Sequence, residues 1–240
     1  MSETPVDAPA STDDRSGRAI RLIVFDLDGT LVDSHKDLAA AANALVLELG
    51  GAPITEEAVA RMVGDGAAAL VRRALAASGL KPDTPSALDR FLAIYDTCLL
   101  DQTRPYPGMV ETLEQLATRY RLGVLTNKPT HATKTMLDGL DLSRFFQQVV
   151  GGDTAFGRKP DPAGLRHIID ALGASATSTM LVGDSPVDRE TARRAGVRIC
   201  LARFGFGYTF KTGDLEGDEV IVDSAGEIAS VLEFQRFQGF

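Results

Sequence analysis

Residues 20–34 read I-R-L-I-V-F-D-L-D-G-T-L-V-D-S. Four consecutive large apolar residues, Leu22 to Phe25, run into Asp26 and Asp28, and Gly29-Thr30 follow at once. An uninterrupted apolar run suits a strand covered on both faces, as in a parallel sheet. Its end delivers two carboxylates to one place, and Gly29 lets the chain turn away. The spacing predicts a buried strand carrying a nucleophilic carboxylate and a partner acid.

Working outward, residues 1–18 are rich in Ser, Thr, Asp and Pro and have few large apolar groups, so they read as a flexible N-terminal tail. From Lys36 to about Leu100 the pattern is helical. Leu38, Ala41, Ala42, Leu45 and Leu49 fall on one face, and Gly50-Gly51 stops that helix. Thr55 before Glu56 and Glu57 is an N-cap. Gly64-Asp65-Gly66 breaks the pattern, as a structural helix break or as a loop over a substrate. A helix is expected over 67–77. Ser86 with Asp89 resembles a capping box, and Leu88, Phe91, Leu92, Tyr95 and Leu99 share a face. The segment reads as about four helices inserted after the first strand.

Beyond Pro105-Tyr106-Pro107-Gly108, helices alternate with apolar strands at 122–125, 149–150, 180–182, 197–202 and 219–222, which predicts a parallel sheet with helices on both faces. In such sheets ligands bind outside the carboxyl ends of the strands. Thr126 and Asn127 follow one strand, Lys159 stands a short way beyond another, and Gly183-Asp184-Ser185 with Asp188 follow a third. Four segments therefore aim polar groups at one edge.

Asp26, Asp184 and Asp188 close together would repel and raise one another's pKa, so the cluster needs a cation. A hard, oxygen-ligated ion such as Mg²⁺ suits it. With Lys159 added, the site could accept a phosphate dianion, and Thr126 and Asn127 offer further donors. Asp26 would then attack phosphorus, while Asp28 would give a proton to the leaving alcohol and later take one from water.

The net charge of -8 argues against nucleic acid or an anionic membrane as partner. No run of 18 apolar residues suggests a membrane span, and residues 1–10 have no signal-peptide pattern, so a cytoplasmic protein is expected. Cys98 and Cys200 form no metal or redox motif and read as reduced core residues. His131 and His167 read as structural, Met109 and Met136 as core, and Arg72 and Arg73 as solvated or drawn to a substrate carboxylate.

These residues resemble the haloacid dehalogenase superfamily and, within it, the phosphoglycolate phosphatases. The match spans about 20–235: FDLDGTLVDS at 25–34, YPG at 106–108, TNKP at 126–129, GGDT and RKPDP within 151–162, VGDSPVD at 182–188, FGFGY at 204–208 and DEVIVD at 218–223. The resemblance implies an α/β fold, a Rossmann-like doubly wound core over 19–33 and 106–240, with a helical cap inserted over 34–105. It implies Mg²⁺ held by Asp26, the backbone carbonyl of Asp28, and Asp184, with Asp188 behind them or bound through water. It implies phosphate anchors at Thr126 and Lys159, and it favours Gly64, Asp65 and Gly66 as a substrate loop. Two departures stand out. Arg158 precedes Lys159, and His35-Lys36 occupy the hinge into the cap.

The activity so implied is hydrolysis of a small phosphorylated metabolite, 2-phosphoglycolate foremost, by a monomer or homodimer. A β-phosphoglucomutase-type phosphomutase or a sugar-phosphate phosphatase would share this core. Asp28 sets the chain apart from dehalogenases. A non-catalytic phosphate-binding module would have lost the nucleophile or a metal ligand, and neither is lost.

Overall fold

The computed structural model describes residues 19–238; the tail expected over 1–18 lies outside them. The first strand, β1 (Leu22–Phe25), has every side chain fully buried. Alternate strand residues face opposite sides of a sheet. Ile23 and Phe25 join one core, with Leu113, Met136 and Ile228, while Leu22 and Val24 join another, with Leu165, Ile168 and Ala192. The run is apolar throughout because both of its faces are covered.

After β1 the chain forms β2 (Val32–Asp33) and enters α1 (His35–Glu48), α2 (Glu56–Ala60), α3 (Ala67–Ala77) and α4 (Ala87–Cys98), then returns through β3 (Arg104–Pro105). The core resumes with α5 (Met109–Ala117), β4 (Arg121–Leu125), α6 (Thr130–Gly139) and β5 (Gln148–Val150). It continues with α7 (Ala163–Ala171), β6 (Thr179–Gly183), α8 (Pro186–Ala195), β7 (Arg198–Ala202), β8 (Val220–Val222) and α9 (Ala225–Gln238).

The larger sheet has the order β5-β4-β1-β6-β7-β8, with all pairings parallel. Strands added after β1 run outward on one side, and the chain then crosses back to place β6 on the other. The strand order reverses beside β1, and such a switch point opens a crevice at the carboxyl ends. The expected α/β architecture is the observed one.

The two linkers to the inserted helices pair antiparallel, Val32 with Pro105 and Asp33 with Arg104. Asp37, on the first turn of α1 and 1% exposed, ties them further. Its carboxylate accepts from the backbone N–H groups of Gln102 and Thr103 and from the Thr103 hydroxyl, at 2.7–3.0 Å. A buried carboxylate is tolerated when donors surround it.

The Thr55 cap forms as expected, its hydroxyl accepting from the Ala58 N–H. Two local expectations are corrected. Ser86 makes no capping bond, because it adopts a left-handed conformation (φ 60°) at the end of the Thr84-Pro85 turn. Leu49 is exposed rather than buried, because α1 ends at Glu48 and Leu49 caps it beyond the apolar stripe. Met109 and Met136 are fully buried, and Cys200 is buried while Cys98 is half-buried. Among the described residues no helix is long and apolar enough to cross a membrane.

Candidate active site

The carboxyl ends of β1, β4 and β6 bring the expected groups together. Asp26 directly follows β1, where its N–H continues the sheet by donating to the Val182 carbonyl at 2.9 Å. One carboxylate oxygen from each of Asp26, Asp184 and Asp188 lies within 4.8 Å of the others, and all three residues are buried. The Lys159 ammonium sits 2.7 Å from Asp26 Oδ1 and 2.7 Å from Asp188 Oδ1.

Asp188 has two roles. It completes a capping box at the start of α8, accepting from the Ser185 N–H while the Ser185 hydroxyl accepts from its own N–H. Its other oxygen holds Lys159. Asp184 accepts from the Gly207 N–H at 2.7 Å. Gly29 is required where β1 turns away. Its φ is +88°, and a Cβ there would lie 2.0 Å from Asp184 Oδ2.

Burial dominates the electrostatics. It pushes the Asp26 carboxyl up to about 7, with Lys159 pulling down and Asp188 adding to the rise. Burial, then Asp188 and Asp26, hold Asp184 well above the usual carboxylate range. Burial opposes the charge on Lys159, but Asp188 and Asp26 outweigh it and keep the amine above its ordinary value. Three carboxylates around one ammonium leave a formal surplus of two negative charges in a buried place. An all-oxygen donor set with that surplus fits a hard divalent cation.

The Asp28 carboxylate is not in this cluster. It accepts from the Ser34 hydroxyl at 2.6 Å and from the Lys128 ammonium at 2.9 and 3.0 Å. The Asp28 side chain is thus engaged apart from the three grouped carboxylates. Lys128 also donates to the Tyr95 hydroxyl of α4 at 2.8 Å. The sequence reading did not single out Lys128. The available signal was its place in the same strand-end turn as Thr126 and Asn127.

Thr126 is buried, and its hydroxyl accepts from the Lys128 N–H at 3.2 Å. Asn127 reaches the site, but its amide donors go to the Gly64 carbonyl (2.8 Å) and the Lys159 carbonyl (3.0 Å), while its oxygen accepts from the Lys159 N–H (2.8 Å). Its side chain therefore positions Lys159 and the 64–66 loop. Gly64 and Gly66 line the cleft, whereas Asp65 pairs with Arg73, which also holds the Met62 carbonyl. Arg72 is exposed. His35 pairs with Asp33 at the hinge and lies against the Phe206 ring. His131 is exposed, and His167 stacks on Phe156.

Between the insertion and the sheet edge lies a cleft of about 530 Å³, including its open mouth. Asp26, Asp28, Thr126, Lys128 and Lys159 form its polar floor, and Leu38, Val63, Leu70, Phe91 and Leu92 contribute apolar wall.

The model of the haloacid dehalogenase-like hydrolases matches residues 23–202, which include every one of these floor groups. The chain belongs to that family. It is 46% identical over 194 residues to a phosphoglycolate phosphatase of Rhodospirillum rubrum, covering 78% of this chain and 80% of that protein. It is 38% identical over 212 residues to one of Pseudomonas putida, covering 86% and 78%. Among solved structures it resembles a predicted phosphoglycolate phosphatase from Haemophilus somnus. There the TM-score is 0.80 and the identity 29%, with 90% of this chain and 98% of that one covered. This hydrolase thus carries its family's resemblance through both the core and the inserted helices.

Proposed function

We propose that this hydrolase is a Mg²⁺-dependent phosphatase that cleaves a small organic phosphomonoester, 2-phosphoglycolate foremost, through a phosphoaspartate on Asp26. The observation that carries this reading is the meeting of Asp26, Asp184, Asp188 and Lys159 at the switch point. Nothing in ordinary core packing calls for three buried carboxylates around one ammonium. The names of the relatives above support the choice of substrate, and so does a cleft too apolar in its walls to bond many sugar hydroxyls.

Asp26, Asp184 and the carbonyl of Asp28 would hold Mg²⁺, which when bound supplies positive charge to the phosphoryl oxygens. Thr126 and Lys159 flank the same place and add a hydroxyl and an ammonium. Lys159 also favours the ionised form of Asp26, against its burial, and aims it. An Asp26 carboxylate oxygen attacks phosphorus, and the bond from phosphorus to the ester oxygen breaks. Asp28, carrying a proton, delivers it to the departing oxygen, so the product leaves as an alcohol. Water then attacks the phosphoaspartate. Asp28 takes a proton from that water, the bond from phosphorus to Asp26 breaks, and inorganic phosphate is released. Covalent catalysis divides one difficult displacement between two easier ones, each with Asp28 in the complementary role.

The test is release of inorganic phosphate from a panel of esters, with Mg²⁺ and with chelator, by wild type and Asp26→Asn. Mg²⁺-dependent hydrolysis led by 2-phosphoglycolate, lost in Asp26→Asn, is expected. Full activity in the variant or in chelator contradicts the mechanism, and preference for sugar phosphates contradicts the substrate.

A further inference from the structure

Lys128 is a second buried cation in the cleft, with its side chain only 3% exposed. Its ammonium joins three parts of the molecule: the strand-end turn that carries it, both oxygens of Asp28 (2.9 and 3.0 Å), and the Tyr95 hydroxyl on the inserted helices (2.8 Å). It also lies 4.6 Å from the centre of the Tyr95 ring. Lys159 stands at Asp26 and Lys128 at Asp28, so the floor has a cation at each end. Around Lys128 the wall is supplied by Leu38, Leu70, Phe91 and Leu92. The Asp28 carboxylate compensates this cation as the chain stands, and once Asp28 carries the proton it is to deliver, the ammonium favours an anion brought by the ligand over a neutral group.

The phosphatase reading fixes the direction of the ester. Phosphorus lies at Asp26, the ester oxygen lies between phosphorus and Asp28, and the carbon skeleton continues on the Asp28 side. On that reading a group one carbon beyond the ester oxygen is directed toward the Lys128 ammonium, which contacts Asp28. We infer that Lys128 is the specificity residue of this enzyme, reading a carboxylate on the carbon next to the ester oxygen, with Tyr95 orienting the ammonium toward it. The substrate class is a 2-(phosphooxy)carboxylate. This assignment rests on the function proposed above and adds the residue that selects the leaving group.

The test compares kcat/KM with Mg²⁺ for 2-phosphoglycolate, ethyl phosphate and phosphoethanolamine, which place an anion, a neutral methyl and a cation at the same end. Wild type is expected to prefer them in that order, with the carboxylate favoured over the methyl by about 100-fold or more. In Lys128→Met the ratio of 2-phosphoglycolate to ethyl phosphate should fall by about 100-fold, chiefly through KM. Lys128→Arg, which keeps the charge, should retain most of the ratio. A Lys128→Met enzyme that keeps the wild-type ratio, even with both rates lowered, overturns the assignment and leaves the phosphatase reading standing. A wild type that shows no preference for 2-phosphoglycolate defeats the proposed substrate and this assignment together. Should Lys128→Met fail to fold, the wild-type series still decides: equal use of phosphoethanolamine and 2-phosphoglycolate overturns the assignment.

Discussion

Lys159 Nζ lies 2.7 Å from a carboxylate oxygen of Asp26 and 2.7 Å from one of Asp188, so one ammonium bridges the end of β1 and the first turn of α8. Removing one partner of a buried ionic set leaves the others uncompensated, at a cost of about 3–5 kcal/mol. Lys159→Met is expected to lose about that much unfolding stability in chelator and less with Mg²⁺, because the cation replaces part of the missing charge. Activity should fall by about 100-fold or more. Urea unfolding with and without Mg²⁺ checks the first point, and a loss that Mg²⁺ leaves unchanged contradicts it.

The raised Asp26 carboxyl gives a pH dependence whose sign can be worked out. Its pKa is about 7 in the folded chain against an ordinary 3.8, so between those values the folded state binds the proton more tightly. That contribution to stability is full below the unfolded value and is lost as pH rises through about 7. In chelator, Asp26→Asn should therefore lose less stability than wild type between about pH 5 and 8. Mg²⁺ should flatten the wild-type curve by favouring the ionised form. Identical slopes for wild type and variant in chelator would show that Asp26 does not titrate in this window.

Asn127 links the 64–66 loop to the backbone of Lys159. Asn127→Ala removes both bridges and leaves two carbonyls and an N–H without their partner. A loss of about 1–3 kcal/mol is expected. KM should rise as the loop loses its anchor. Steady-state kinetics and thermal unfolding measure both, and an unchanged KM would separate Asn127 from substrate closure.

Asp37 predicts an effect on the insertion rather than on the chemistry. Asp37→Ala leaves the N–H groups of Gln102 and Thr103 without their acceptor, which should cost roughly 2–4 kcal/mol. Urea unfolding measures this. A well-folded fraction that retains wild-type kcat would agree with a purely structural clamp.

Much of this was legible in the chain because strand ends are legible. An apolar run followed by a polar group gave β1 with Asp26, and the same pattern gave β4 with Thr126 and β6 with Asp184. The parallel order then brings those ends together. Contacts made across the insertion were not legible. Lys128 meets Tyr95 only once α4 folds over the sheet edge, and no local spacing marks that meeting. The direction of a side chain was equally hidden. Asn127 turns its amide to backbone groups, and Asp65 turns to Arg73 rather than into the cleft. Nothing in the local sequence marks Asp37 as buried, because its burial depends on the returning linker.

A nucleophilic Asp26 would be trapped directly as its phosphorylated form. The enzyme is mixed with 2-phosphoglycolate and Mg²⁺, quenched within one turnover, reduced with borohydride and digested for peptide mass spectrometry. Reduction turns a phosphoaspartate into homoserine. A nucleophilic Asp26 predicts homoserine at position 26, absent without substrate and absent in Asp26→Asn. Homoserine at Asp28 or Asp184 instead, or rapid turnover with none at position 26, would contradict it.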